Sequence, residues 1–562
     1  AVIDGTEYKR NYTGVKRIVG VTGAGKNKID VSGLTSIEAI LIAGDGDNEL
    51  LGGAGKDTLV SGTGTNAKTK ITGNDGADLI VARGGQSTLT GNAGADSYRF
   101  LGNFGTVTID DANSGDANVL DFSDQTNAIV FDTLNMKATQ GGNTATWNRG
   151  TSVGLIAGGA GADTLDMSFE TKALHVAVKD EGSANLTSTL SSAASSLLKD
   201  TDGAAVNDGV VSNSSTGAVG GTQFGDVQFI FTGIENVIGG GGSDIFAFAN
   251  AHAISGSIYG GASSGIGLNP TAERQSSRNT LDLSSYSTGV TVNESNPNSA
   301  VSRFTGDANA VKVGGFHNIF GGTGNDEVTG NASNNLILGG GGNDTLRGMA
   351  GTDLLSADSL KFTNTSGVEV EISRVSDTRL AWQQLPSREW TWFGQVVENV
   401  DKQSAGGEAG AQTLEGGDGD DILFGSTGGD TLRSDAGNDT MIGDFAQIRF
   451  TADGMVDTVT SKQSAKGGAD TIVGLQGANI VVGGHRADII TVGNGDNVVL
   501  GDSGLIKLRA LTRLSTQISN MDELTATPIG GDDVIVAGTG SNIVLGGHGS
   551  DTITASDSLG KR

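Results

Sequence analysis

The sequence predicts an all-β chain, a multi-module solenoid of short strands separated by tight turns. Three observations predict it. Glycine supplies 92 of the 562 residues, with only 4 prolines and no every-third-glycine pattern, which excludes collagen. The apolar residues, 36% of the chain, stand in short Val/Ile/Leu runs between Gly, Asp and Asn turns, so disorder is a poor reading. Finally, one nonapeptide, Gly-Gly-x-Gly-x-Asp-x-apolar-x, recurs along the whole chain, and repeats of fixed period mark solenoids.

Composition also removes classes of function. A net charge of −28 argues against nucleic acid and against anionic membrane surfaces. Carboxylates at this density repel one another unless they are dispersed or neutralised by a cation. The absence of cysteine excludes disulfides, thiolate catalysis and Cys-based zinc or iron–sulfur sites. No apolar run reaches the roughly 18 residues of a membrane-spanning helix, so membrane insertion is not expected. The chain opens on "AVIDG" and closes on "DTITASDSLGKR" in mid-pattern; both ends read as cuts in something longer.

Clean copies of the repeat are "GGAGKDTLV" (52–60), "GGAGADTLD" (158–166), "GGGGSDIFA" (239–247), "GGTGNDEVT" (321–329), "GGGGNDTLR" (339–347) and "GGDGDDILF" (416–424). Looser ones adjoin them: "GNDGADLIV" (73–81), "GNAGADSYR" (91–99), "GMAGTDLLS" (348–356) and "GGHGSDTIT" (546–554). These residues resemble the RTX family, secreted bacterial proteins with hemolysin-type calcium-binding repeats. The resemblance implies that each nonapeptide is a turn plus a short strand, and that two make one turn of a right-handed parallel β-roll. The glycines allow the tight turn, and the apolar eighth residue points into the core. It also implies Ca²⁺ between turns, held by the sixth-position Asp and by backbone carbonyls, since a hard cation takes six to eight oxygens. On this sequence the sixth-position carboxylates are Asp57, Asp78, Asp96, Asp163, Asp244, Asp326, Asp344, Asp353, Asp421, Asp430, Asp439, Asp470, Asp488, Asp533 and Asp551.

If a full turn of the roll takes 18 residues, aspartates stacked on one side must lie 18 apart. Asp78 and Asp96, Asp326 and Asp344, Asp421 and Asp439, Asp470 and Asp488, and Asp533 and Asp551 do. Midway stand Ser87, Asn335, Asp430, Asn479 and Asn542. The expectation is that Ca²⁺ is bound mainly along one edge while uncharged side chains close the other, where Asn tolerates left-handed turns and stacks as a hydrogen-bonded ladder. The competing reading is that Asn merely replaces a weak ligand.

Residues 1–112 read as an N-terminal β-roll module. Within it "GVTGAGKNKIDVSG" (20–33) approaches a nucleotide-binding loop, but Asn27 follows Lys26 where a Ser or Thr is needed, and the alternation after it is that of strands rather than of a helix. Residues 113–240 read as solenoid rungs without calcium turns, broken by a Ser/Ala-rich insertion at 181–222. "NKIDVSG" (27–33), "NVLDFSD" (118–124), "DTLDMSF" (163–169) and "NTLDLSS" (279–285) share an apolar–Asp–apolar–Ser core. Residues 241–356 form a central β-roll module. An insertion at 357–412 holds Trp382, Trp390 and Trp392, which suit either a contact surface or a flap packed on the roll. Residues 413–562 are repeated C-terminal β-roll modules: "GGADTIVGLQGANIVVGGHRADIIT" (467–491) and "GGDDVIVAGTGSNIVLGGHGSDTIT" (530–554) align throughout. Excursions opening on "GDFA" (443–446) and "GDSG" (501–504) separate the blocks.

No catalytic constellation stands out. There is no His-Glu-x-x-His, and "GASSG" around Ser263 lies in a repeat-like turn with no helix after it. His485 and His548 share the third position of aligned repeats. The expectation is therefore a structural protein without enzyme activity: an extracellular scaffold subunit of a surface layer, filament or biofilm matrix, polymerising through calcium-stabilised contacts. The alternatives are a stalk fragment of a giant RTX adhesin, with a glycan or other cell-surface ligand, and the calcium module of a secreted enzyme. The resemblance implies export through a type I channel.

Overall fold

A computed structural model describes residues 2–3, 6–7, 13–111, 117–133, 135–148, 151, 153–168, 175–178, 209–212, 228–240, 244–248, 254–261, 279–295, 302–304, 311–363, 369–372, 396–400, 410–452, 454–462, 466–508, 515–520 and 530–555. The Ser/Ala-rich insertion apart from Gly209–Ser212, the residues Ser263, Trp382, Trp390 and Trp392, lie outside them. The described residues contain no helix. They fall into two compact units, Ala1–Phe169 with Lys179–Val237, and Glu170–Val178 with Ile238–Arg562.

The first unit is a parallel β-roll. Strands Arg17–Val21, Glu38–Ile42, Thr58–Val60, Leu79–Ala82, Ser97–Phe100, Asn118–Asp121 and Val153–Ala157 pair in parallel down one side. On the other side Asn27–Asp30, Asn48–Leu51, Lys68–Asp75, Gln86–Ala93, Thr106–Ile109 and Asn143–Trp147 do the same. Lys26 and Asn27 thus lie between two strands, with no helix behind them. The roll follows from the nonapeptide: its eighth residue, Leu59, Ile80 or Tyr98, is wholly buried between the two sheets. Alternation along each strand sends the neighbours of that residue outward.

The apolar–Asp–apolar–Ser core is a turn signal. Asp30, Asp121 and, in the second unit, Asp282 each accept the N–H and the Oγ–H of the Ser two residues on, the hydroxyl bond being 2.6 Å in all three. These side chains close Asx turns at strand ends, which separates them from the sixth-position aspartates.

The second unit is a longer roll of the same kind. One sheet runs through Thr291–Asn293, Glu327–Thr329, Thr345–Ala350, Thr413–Asp418, Thr431–Ala436, Thr471–Gln476, Ile489–Asn494, Val534–Ala537 and Thr552–Ala555. Facing it, Asn318–Phe320, Leu336–Leu338, Leu354–Ser356, Ile422–Phe424, Thr440–Ile442, Ile480–Gly484, Val498–Asp502 and Ile543–Leu545 pair in the same parallel order.

What the sequence read as separate excursions is one further element. An antiparallel sheet takes the order Glu369–Ile372, Ser359–Thr363, Val396–Val400, Ala446–Phe450, Val456–Ser461, Gly504–Leu508, Ser515–Asn520. Its Leu360, Val397, Ile448, Val459 and Ile506 form one buried cluster with Leu338, Phe424, Val482 and Leu500 of the roll. Roll strands such as Ile422–Phe424 are therefore buried on both faces. The excursions leave the roll just after Asp358, Asp444 or Asp502, the last two directly after a glycine. The chain re-enters ahead of Gln412, Asp470 or Asp533.

Candidate calcium sites

The sixth-position residues form ladders in which each main-chain N–H donates to the side-chain oxygen of the next rung. In the first unit Asp57 N–H donates to Asp78 Oδ1, Asp78 N–H to Asp96 Oδ1 and Asp96 N–H to Asn118 Oδ1, each at 2.8 Å. Asp163 N–H donates to Glu235 Oε2 at 2.6 Å, and in the second unit Asp244 N–H to Asn279 Oδ1 at 2.9 Å. Two long ladders then run through the second unit. One passes through Asp326, Asp344, Gln412, Asp430, Asp470, Asp488, Asp533 and Asp551. The other passes through Asn335, Asp353, Asp421, Asp439, Asn479, Asn497 and Asn542.

All fifteen sixth-position carboxylates anticipated from sequence stand in these ladders or at the two short pairings. The division into an acidic and a neutral edge is less simple than the spacing implied. Asp78 and Asp96 do face a neutral column, Asn48, Thr69 and Ser87. Asp421 and Asp439, however, share their edge with Asn479 and lie across the roll from Asp430, so the central rungs carry carboxylates on both edges.

The second carboxylate oxygen takes one of two settings. In Asp57, Asp163, Asp244, Asp326 and Asp430, Oδ2 accepts the N–H of the turn's second residue at 2.6–2.7 Å. In Asp78, Asp353, Asp421, Asp470, Asp488 and Asp533, Oδ2 is buried and accepts no hydrogen bond. In four of the six open cases the backbone conformation differs. Ahead of Asp78, Asp353, Asp421 and Asp488 the second turn residue, Asn74, Met349, Gly417 or Gly484, has positive φ, which turns its N–H away from the carboxylate. Asn74 (φ 79°) and Met349 (φ 90°) hold this conformation without being glycine, an arrangement that costs about 1–2 kcal/mol.

The open oxygens fit a hard divalent cation. Beside Gly73, Asp78 Oδ2 and the Gly91 carbonyl converge where a Cβ would lie, 2.9 Å from that carbonyl. At Gly348 the same space is bounded by Asp353 Oδ2 and the Gly416 carbonyl, 2.6 Å from such a Cβ. Only glycine leaves this gap. Among the described residues no site gathers three acidic or histidine side chains, so a cation would take much of its shell from main-chain carbonyls, as Ca²⁺ readily does. Without a cation the carboxyls are costly. Burial raises Asp78, Asp421 and Asp533 to about 7, Asp353 and Asp470 to about 8, and Asp488 to about 10, with neighbouring carboxylates adding to the shift.

Amide rungs meet the same turn carbonyls differently. Asn497 Nδ2 donates to Gly493 O and Gly495 O, both at 3.1 Å, and Asn48 Nδ2 to Gly44 O and Gly46 O at 2.9 and 2.7 Å. Gln412 Nε2 reaches Gly342 O and Gly410 O at 2.7 and 3.2 Å. A side-chain N–H₂ thus serves the turn carbonyls directly. The Asn ladder anticipated from sequence also exists, with Asn497 Nδ2 donating to Asn542 Oδ1 at 2.7 Å.

Several participants escaped the sequence reading. Asp444 accepts the N–H groups of Gly468 and His485, and Asp502 those of Gly531 and His548, so each carboxylate ties an interrupted turn to the next rung. Burial, and then the charge of Asp470, push the Asp444 carboxyl well up. Their signal was the shared Gly-Asp opening both excursions. Glu235, raised to about 7 by burial, stands where an Asp rung would and had no spacing to betray it.

The family described as RTX calcium-binding nonapeptide repeat (4 copies) matches residues 40–66, 72–102, 320–355, 406–444, 464–499 and 529–557. All the open carboxylates named above fall within these six segments. No curated protein matches the chain.

Proposed function

The chain is an RTX calcium-binding repeat protein, and from that premise we propose that it is a calcium-dependent structural subunit that self-associates outside the cell, in a surface layer, filament or matrix, and not an enzyme. RTX repeat proteins are typically secreted by the type I route into calcium-rich surroundings. There the open carboxylates would be filled and the rolls locked. The observation that carries self-association is an apolar patch on a polar sheet. Ile489 and Val534 are register partners on the outer face of the second unit and are 53% and 42% exposed. Neighbouring apolar side chains left in water mark an interaction site.

The test is a calcium titration of metal-free protein, followed by light scattering and electron microscopy. Ordered sheets or filaments that dissolve on chelation, and that Ile489→Lys with Val534→Lys prevents, support the proposal. Folding to a monomer that never assembles would overturn it in favour of an adhesin stalk.

A further inference from the structure

The outer face of the first unit's second sheet carries a basic groove on an acidic protein. A cavity of about 840 Å³ lies over strands Asn27–Asp30, Lys68–Asp75, Gln86–Ala93 and Thr106–Ile109. Lys26, Lys28, Lys68 and Lys70 line it against only two carboxylates, Asp47 and Glu49. Lys28 is held by Asp30 and Glu49, each at 3.4 Å. The ammonium groups of Lys26, Lys68 and Lys70 form no ion pair among the described residues, although the Lys68 main-chain N–H donates to Asp47 Oδ1 at 3.0 Å, in a chain of net charge −28.

We infer that this groove binds an acidic polysaccharide, a linear glycan carrying carboxylates at low density. The register sets the pattern. Lys28, Glu49, Lys70, Thr88 and Thr108 stand in one column and Lys68, Gln86 and Thr106 in the next. Rungs rise by about 4.8 Å, so Lys28 and Lys70 are about 10 Å apart along the column. An extended pyranose chain advances by close to one rung per sugar, so carboxylates on alternate sugars would meet successive lysines while hydroxyls meet the Thr and Gln rungs.

Other occupants fit less well. The lining holds no apolar or aromatic side chain, whereas the buried centre of a protein interface needs such anchors. Nucleic acid would want aromatic stacking platforms, and the overall charge repels so dense a polyanion. The same lack of aromatics disfavours neutral sugars, leaving charge as the means of recognition.

The test is native electrophoresis of the full chain at fixed calcium through gels containing hyaluronan or neutral dextran. Retardation by hyaluronan alone is expected, weakened at least tenfold in Lys68→Thr with Lys70→Thr. That variant extends the Thr columns already present at 106 and 108 and should fold, which an unchanged melting temperature verifies. Lys312→Glu, on the second unit, should leave retardation intact. No retardation, or retardation unchanged in the double variant, overturns the inference. So does a wild-type dimer in sedimentation that the double variant abolishes, because the occupant would then be a second copy. The readout is independent of calcium-driven assembly, so either proposal can fail alone.

Discussion

The two ladders of the second unit differ in the chemistry that closes their turns. On one edge seven of eight sixth-position residues are Asp, Gln412 being the exception. The other edge is Asp only at Asp353, Asp421 and Asp439, and then becomes Asn479, Asn497 and Asn542. The main chain is served alike on both, since a side-chain oxygen, Oδ1 of Asp or Asn and Oε1 of Gln412, accepts the neighbouring N–H in each case. The difference lies in the second atom. The amide nitrogens of Asn497 and Asn542 donate to the turn carbonyls, while that of Asn479 is buried and meets none; an open carboxylate oxygen faces those carbonyls with like partial charge and requires a cation. At Asn497 and Asn542 one edge thus closes its turns without a cation, while the other waits for calcium.

Calcium removal should have the largest effect. A site held at tenfold its dissociation constant adds about 1.4 kcal/mol, so six open carboxylates in separate sites would add about 8 kcal/mol, comparable with a whole domain's stability. Chelated protein should lose cooperative thermal melting by circular dichroism and recover it when Ca²⁺ is restored. An unchanged melting temperature after chelation would rule out the acidic edge as a calcium edge.

Acidity should reverse the comparison in metal-free protein. Asp78, Asp421 and Asp533 titrate at about 7, Asp353 and Asp470 at about 8 and Asp488 at about 10 in the fold, against about 3.9 unfolded. The folded state therefore binds more protons. Its contribution is full below pH of about 4 and is lost as pH rises through 7 to 10. Dialysed calcium-free protein should melt higher at pH 5 than at pH 8, and the order should invert with Ca²⁺, which competes with those protons. A metal-free sample that melts higher at pH 8 would contradict this.

Exchanging the chemistries tests the comparison directly. Asn497→Asp removes the donors to Gly493 O, Gly495 O and Asn542 Oδ1. It leaves half-buried acceptors unmet and should cost about 1 kcal/mol in chelator. Asp488→Asn supplies an amide where Oδ2 stands open, so it should raise the chelated melting temperature and remove about one calcium from the titration stoichiometry. If both variants behave like wild type in chelator, the side chain at this position does not govern metal dependence.

Much of this was legible in the sequence because the repeat fixes it locally. Apolar residues such as Leu59 and Leu346 fall into the core, and 18-residue spacing puts Asp78 beside Asp96 and Asp326 beside Asp344. Adjacency across an excursion was not legible. Asp430 meets Asp470 over 40 residues, Asp488 meets Asp533 over 45, and Asp353 meets Asp421 over 68. In those cases partners depend on where the chain re-enters, which spacing does not state. The covering sheet was hidden for a similar reason. "AQIRF" and "LIKL" alternate like strands, but nothing local says that Ile448 and Ile506 cover Phe424 and Leu500.

The smallest expected effect isolates the backbone from the ligand. Met349 stands at the second position of the Asp353 turn with φ 90° and is 45% exposed, so its side chain contributes little packing. Gly417 and Gly484 hold the same position ahead of Asp421 and Asp488. Met349→Gly keeps the open setting and removes the left-handed penalty, offset in part by the greater freedom of glycine in the unfolded chain. The net gain should be about 1 kcal/mol, read as a higher melting temperature with Ca²⁺ present and an unchanged number of calcium ions bound. A loss of stability instead would mean that the Met349 side chain, rather than the conformation it tolerates, holds this turn open.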